Sequence, residues 1–278
     1  MKSISIVIPV HRGREFSFGI LINNLIKAIN CSKDLFEFDV ALVIDNAVIP
    51  PAVIEKLNGY KVYLVSANGF NSPSRMRNLG ASSGRGGWVC FIDSDVVIDS
   101  DYFQRFYNGL KNNDVAIVPR LEESDRTSTW GSLDHYHETY TLRKYIGNCG
   151  DMNILMGHNF FILREVFDIS GGFDQDFCSA EDRELGIRLR NMGYTIRHNP
   201  QIVCYHEYPS RLSDVIRRKW WHGKGCAKLY RLHRFTRKSL LEWVKYFVHP
   251  PLYARAKFYD IIYRCTAKVA FLISVLNN

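Results

Sequence analysis

Apolar residues follow one another almost without a break from Ile4 to Val10, a pattern that predicts a strand buried on both faces over Ile4–Pro9. From Phe16 to Ile29 the spacing changes. Phe18, Leu21, Ile22, Leu25, Ile26 and Ile29 recur at the period of a helix with one buried face. The alternation continues. Val40–Ile44 predicts a second strand ended by Asp45-Asn46, Pro50-Pro51 opens a short helix reaching Leu57, and Lys61–Val65 predicts a third strand. Ser74–Ser82 predicts a helix, Trp88–Ile92 a fourth strand, Phe103–Leu110 a helix and Val115–Val118 a further strand. Continuous apolar strands separated by helices predict an α/β fold, a mostly parallel sheet flanked by helices on both faces.

The pattern weakens between Glu122 and Gly157, a stretch rich in His, Tyr and Thr that predicts a long excursion with some helix over the active face. Asn159–Leu163 is strand-like. Ser179 opens a helix running to Met192 and ended by Gly193, and Thr195–His198 and Ile202–Tyr205 predict two short strands around Asn199-Pro200. Beyond Ser210 the chain is helical and amphipathic, with breaks expected at Gly223–Gly225 and at Pro250-Pro251. The expected organisation is one α/β domain over residues 1–210 and a helical C-terminal extension over 211–278.

Charge sharpens that division. The 278 residues carry a formal net charge of +8. From Ser210 onward there are 15 Lys and Arg against 3 Asp and Glu, so the rest is mildly acidic. Arg217-Arg218-Lys219, Lys228, Arg231, Arg234, Arg237 and Lys238 are interleaved with Trp220-Trp221, Leu229, Tyr230, Phe235 and Trp243. Such a segment suits a helix lying on an anionic membrane surface; a helical cap packed on the domain is the plainer alternative. Phe258–Leu276 is apolar but carries Asp260, Arg264 and Lys268, so it should lie on a surface rather than span. No apolar run reaches the ~18 residues of a membrane span. The seven cysteines are odd in number, form no CxxC and sit partly in apolar runs, which predicts reduced thiols and a cytoplasmic setting; with the basic tail, the expected place is peripheral on the inner face of the membrane. The N-terminus has no small-residue cleavage site, so no signal peptide is expected.

Three groups of residues carry candidate chemistry. Asp93-Ser94-Asp95 follows the strand Trp88–Ile92, placing two carboxylates at the carboxyl end of a strand, where open α/β sheets bind ligands. Two acids one residue apart can share a hard divalent cation with phosphate oxygens, although a polar turn capping the next helix would read the same way. Glu181-Asp182, in the first helical turn after Gly171-Gly172-Phe173-Asp174, offers a general base; Ser179 with Asp182 also resembles a capping box, the structural alternative. His206, before Glu207 and just beyond an apolar strand, is a candidate metal ligand or an ordinary surface residue.

In this order and spacing the three groups resemble the family 2-type glycosyltransferases of the GT-A fold. The likeness extends to Ser5-Ile6-Val7-Ile8-Pro9-Val10, to Val43-Ile44-Asp45-Asn46, and to Arg75-Met76-Arg77-Asn78-Leu79-Gly80, which is similar to the family's ARNxG helix start. It covers residues 3–225. The resemblance implies that Pro9, Val10, His11 and Asp45 lie at the nucleotide, that Arg77 reaches it and Asn78 shapes its turn. It implies that Asp93 and Ser94 adjoin the ribose or the cation, that Asp95 and His206 bind Mn2+ or Mg2+ with Asp93 beside them, and that Asp182 is the base supported by Glu181. Trp220-Trp221-His222-Gly223-Lys224-Gly225 is similar to a segment that contacts donor phosphates in relatives, which makes Lys224 a candidate there.

The implied reaction is a single inverting displacement by a hexosyl- or N-acetylhexosaminyl-transferase. The donor would be a nucleotide sugar, a UDP-sugar favoured, and the acceptor a glycan or lipid-linked hydroxyl in surface-polysaccharide or glycoconjugate synthesis. Two departures from the family stand out. His11-Arg12-Gly13-Arg14 replaces the usual loop after Pro9-Val10, so its two arginines are open to contact phosphate, and Asp45-Asn46 stands where two acids are usual. A nucleotidyltransferase would use the same acids but needs a Gly-rich basic loop after the first strand, of which Gly13-Arg14 is a fragment. Nucleic-acid binding through the tail lacks any helix-turn-helix, zinc-finger or RNP pattern, so no nucleic-acid partner is expected.

Overall fold

The computed structural model describes residues 2–67, 72–124, 128–143, 146, 150–152, 154–233 and 265–274. Four strands form its parallel half. β1 (Lys2–His11) lies between β2 (Phe36–Asp45) and β4 (Trp88–Ile92), and β3 (Val62–Ser66) extends β2 at the edge. α1 (Glu15–Asn30), α2 (Pro51–Glu55) and α3 (Pro73–Ser83) make the connections, as parallel pairing requires. The unbroken apolar run of β1 is explained by two cores. Ile4, Ile6, Ile8 and Val10 pack with Phe18, Leu21 and Leu25 of α1, while Val7 belongs to a second cluster with Ala81, Phe91 and Phe167. Alternate side chains of a strand point to opposite faces, so a strand covered on both sides must be apolar throughout.

The other half of the sheet is mixed. The remaining elements are β5 (Val96–Ile98), α4 (Tyr102–Gly109), β6 (Ala116–Glu123), α5 (Thr129–Arg143), β7 (Asp151–Met152), β8 (Asn159–Leu163), α6 (Arg164–Ile169), α7 (Glu181–Asn191), β9 (Ile196–His206) and α8 (Leu212–His233). The strand order is β3-β2-β1-β4-β8-β6-β9-β5, with β7 also on β9. β8 runs antiparallel to both β4 and β6, and β6 is parallel to β9. Phe106 of α4 stacks on Phe161 of β8 with ring centroids 3.9 Å apart, fixing that helix under the mixed half.

Two expectations are corrected and one strand is added. The two short strands around Asn199-Pro200 are one strand, β9, because its ladder with β6 slips between Pro119 and Arg120 and resumes at Val203. Pro200 donates no N–H and so sits where pairing is interrupted. β5, too short to read from sequence, pairs Val96 with His206. Finally, α8 runs unbroken through Gly223–Gly225. Those glycines mark close packing. A Cβ on Gly225 would overlap the Ser179 carbonyl, and one on Gly223 would overlap the Ala267 carbonyl and the Ala270 side chain of the helical residues 265–274. Gly225→Ala is therefore expected to destabilise the protein by about 1–3 kcal/mol, the usual cost of overpacking, read as a lowered denaturation midpoint. An unchanged midpoint would mean that α8 does not seat on the Ser179 backbone.

The basic run of α8 is also not a uniformly solvated face. Arg218 and Lys219 turn inward to α5: Lys219 Nζ lies 2.5 Å from Asp134, and Arg218 lies 3.2 Å from Asp134 and 3.3 Å from Glu138. Lys219 is 2% exposed. Residues 234–264, which hold the expected break at Pro250-Pro251, about half of the tail's basic residues and most of its aromatic ones, lie outside the described residues. No helix among the described residues is long and apolar enough to cross a membrane.

Candidate active site

The carboxyl ends of β1, β2 and β4 open on one side of the sheet. At the first two, His11 Nδ1 stands 3.6 Å from a carboxylate oxygen of Asp45, and Asn46, in a left-handed conformation (φ 51°), donates its amide to the other oxygen at 3.1 Å. Pro9 and Val10 are buried within β1, and the Val10 side chain belongs to the core under α1. Pro9, Val10, His11, Asp45 and Asn46 are not among the residues that line the main cleft.

That cleft, of about 350 Å³, is lined by residues from eight places in the chain, among them Arg77, Asp93, Asp95, Glu181, Asp182 and His206. Local sequence explains how each arrives. Asp93 and Asp95 leave β4 in a turn closed by Val96 N–H donating to the Asp93 carbonyl at 3.0 Å, with Ser94 buried between them. β5 then pairs with β9, so the Val96–His206 register brings His206 Nε2 to 3.5 Å from Asp95 Oδ1. Arg77, on the inner face of α3, donates to Asp93 at 2.7 Å and to Glu181 at 2.6 Å. Its guanidinium is thus committed to two carboxylates. Asn78 exchanges two hydrogen bonds with the Phe173 backbone, at 2.8 and 2.9 Å, and so fastens the Gly171–Phe173 turn to α3.

Asp182 does not cap its helix through a Ser179 box. α7 is capped by Ala180, in a left-handed conformation (φ 63°), without a side-chain hydrogen bond. A non-glycine residue held there is strained, and such strain persists only where the surroundings enforce it, as the α8 glycine packed on Ser179 does here. Asp182 Oδ2 instead accepts the Gly157 N–H at 2.7 Å, across the cleft, and Oδ1 accepts the Arg183 N–H at 2.8 Å. This orients the carboxylate while leaving lone pairs free on both oxygens.

The acids are held differently. Burial opposes ionisation of Asp95, but His206, Arg14 and Arg218 outweigh it and hold the carboxyl well below the usual range. Burial pushes Glu181 upward, with Asp182 adding to it and Arg77 opposing. Arg77 is kept firmly protonated by Asp93 and Glu181 despite burial. A divalent cation fits Asp95 and His206, a carboxylate and an imidazole sharing one aspect, with Asp93 beside them. Among the described residues no group of three or more His, Cys, Asp or Glu is arranged to hold a metal ion, so a cation at Asp95 and His206 would need ligand oxygens to complete its shell.

Some cleft residues carry no motif. His158 follows the Gly157 that binds Asp182; its ring lies 5.0 Å from that of His206, its Nε2 is buried without a partner, and burial lowers its pKa. Arg218, Trp221 and His222 come from α8, so the extension forms one wall. Arg218 carries no sequence signal of its own, because its acidic partners Asp134 and Glu138 lie far away along the chain. Lys224 points elsewhere, over the Trp221 ring at 5.5 Å and exposed to solvent.

Comparison with known proteins decides the lineage. The profile of Glycosyl transferase family group 2 matches residues 88–276, and that of Glycosyl transferase family 2 matches residues 5–170. The chain belongs to glycosyl transferase family 2. Among family members it is 24% identical over 266 residues to a probable glycosyltransferase, YdaM, of Bacillus subtilis, covering 89% of this chain and 62% of that protein. It is 31% identical over 78 residues to the succinoglycan biosynthesis protein ExoA of Rhizobium meliloti, covering 28% of this chain and 24% of the relative. The chain thus spans less than two thirds of either relative. In structure it resembles the mannosyltransferase PcManGT of Pyrobaculum calidifontis, solved with GDP-Man and Mn2+. The TM-score is 0.70 at 15% identity, covering 97% of this chain and 86% of that one, and the shared fold is GT-A. The family 2 profiles together span both the parallel half of the sheet and α8.

Proposed function

We propose that this family 2 chain transfers a sugar from a nucleoside-diphosphate donor to an acceptor hydroxyl, with a divalent cation bound at Asp95 and His206 and with inversion at the anomeric carbon. The observation that carries the reading is the convergence of Asp93, Asp95, Glu181, Asp182 and His206 on one cleft at the carboxyl end of the sheet. Asp182, held at a fixed angle by two backbone N–H groups, takes the proton of the acceptor hydroxyl as it attacks. Asp93, Asp95 and His206 line the same cleft and would hold a cation that receives the diphosphate end of the donor. Mn2+ or Mg2+ there would supply the positive charge that a departing diphosphate needs. Arg77 donates to both Asp93 and Glu181 and fixes their carboxylates in place. His11 and Asp45 lie where the nucleoside would extend along the strand ends.

The likeness to the succinoglycan biosynthesis protein ExoA supports a glycan acceptor; a lipid-linked acceptor at a membrane surface is the extension of that reading that the C-terminal helix favours. Helical residues 265–274 bury Ala267, Ala270 and Phe271 against the protein and expose Val269, Leu272 and Ile273, an apolar face suited to a bilayer interface. The decisive experiment is a donor screen. UDP- and GDP-sugars are each incubated with the protein and Mn2+ or Mg2+, and release of nucleoside diphosphate is measured. At least one donor should be turned over, chelator should abolish the reaction, and added cation should restore it. Equal turnover in chelator would overturn the cation assignment; release of inorganic pyrophosphate from a nucleoside triphosphate and a sugar 1-phosphate, offered in place of the nucleotide sugar, would identify a nucleotidyltransferase.

A further inference from the structure

The loop between β1 and α1 places a second cation on the proposed cation site. Arg14 Nη1 lies 3.2 Å from Asp95 Oδ2, while Asp95 Oδ1 faces His206. Both oxygens of this carboxylate therefore meet a donor or a positive group. Asp95 is 9% exposed, yet the Arg14 side chain is 46% exposed and reaches in from the cleft mouth. Its backbone is anchored. Ser17, one turn into α1, donates to Glu207 at 2.5 Å, and the Glu207 N–H donates to the Asp95 carbonyl at 3.0 Å. The base of Arg14 is thus tied to the Asp95 turn while its guanidinium is free to swing. Other cleft arginines are bound more tightly: Arg77 and Arg218, only 4% and 22% exposed, each bridge two carboxylates.

We infer that Arg14 occupies the cation's place on Asp95 in the donor-free protein and hands its guanidinium to the donor diphosphate when the cation arrives. The inference rests on the proposed cation site. Its physical basis is competition. A guanidinium and a divalent ion on one buried carboxylate repel each other, and by linkage whatever displaces one strengthens binding of the other. A diphosphate entering the same cleft offers the displaced Arg14 several anionic oxygens in the forked geometry that guanidinium favours. Arg14 is then a positioning residue that couples cation loading to donor loading and shields Asp95 when both are absent.

The test uses Arg14→Gln, with Arg14→Lys as a second variant that keeps charge but loses the fork, and Asp95→Asn as the control for the cation site. Mn2+ alone and UDP alone, without metal, are titrated into each protein by calorimetry. Arg14→Gln should bind Mn2+ about tenfold more tightly than the parent and UDP about tenfold more weakly, opposite shifts that a merely structural residue would not produce. Arg14→Lys should fall between them. Unchanged or weaker Mn2+ binding in Arg14→Gln, with Asp95→Asn still losing Mn2+, would overturn the exchange. Loss of no Mn2+ affinity in Asp95→Asn would instead overturn the cation site itself, so the two failures are distinguishable.

Discussion

Asp182→Asn should lower turnover by about 10²–10⁴-fold, the usual contribution of a positioned general base. The substitution removes the basic oxygen pair but nearly preserves shape. One cost is expected in the fold: both Asp182 oxygens accept backbone N–H groups, and an asparagine can accept only with its single oxygen. Leaving the Gly157 or Arg183 N–H without its acceptor should destabilise by about 1–3 kcal/mol, so activity must be measured well below the new midpoint. Donor binding, measured with UDP and Mn2+, should stay near the parent value because Asp182 is not among the proposed cation ligands. A well-folded Asp182→Asn protein with near-normal turnover would refute the base assignment. A loss of donor binding equal to the loss of rate would place Asp182 in donor recognition instead.

Arg77→Ala should produce the largest loss of stability of any single substitution in the cleft. Arg77 is 3% exposed and lies between Asp93 and Glu181, with Glu181 itself 7% exposed. Deleting the guanidinium strands a buried carboxylate beside Asp182, a change that typically costs about 3–5 kcal/mol. For a protein of this size, that corresponds to a fall in melting temperature on the order of 10 °C. The loss is specific to charge pairing, so adding Glu181→Gln to Arg77→Ala should recover part of the stability, a coupling that a double-mutant cycle measures directly. A drop of only a degree or two, or a double variant less stable than either single one, would show that Arg77 does not hold the cluster together. Catalysis should fall as well, because Arg77 fixes Asp93 beside the proposed cation ligands.

The two variants probe opposite faces of one design. α7 enters the cleft through a strained residue, Ala180, with its first two side chains pointed at different partners: Glu181 back to Arg77, Asp182 across to the Gly157 backbone. The local sequence Ser179-Ala180-Glu181-Asp182 supports a capping box equally well, since acids in a first helical turn are favoured in any helix. What diverts them is distant. α3 supplies the cation that holds Glu181, and the β7–β8 connection supplies the N–H that holds Asp182.

Sequence alone determined the parallel half of the sheet, its helices and the identity of the acids. The reason is local: two-sided burial demands an uninterrupted apolar strand, one-sided burial demands a helical period, and β1 and α1 obey these rules residue by residue. Tertiary structure decided the rest. The antiparallel insertion of β8, the continuity of β9 across its irregular ladder, and the turning of Arg218 and Lys219 away from solvent all depend on partners far along the chain. The same holds for the glycines of α8, which read as a helix break because glycine's low helix propensity is a local property, whereas the backbone packed against them is not. A pattern along one segment reports which face is buried, not what buries it, and the chemistry of this cleft resides in that second fact.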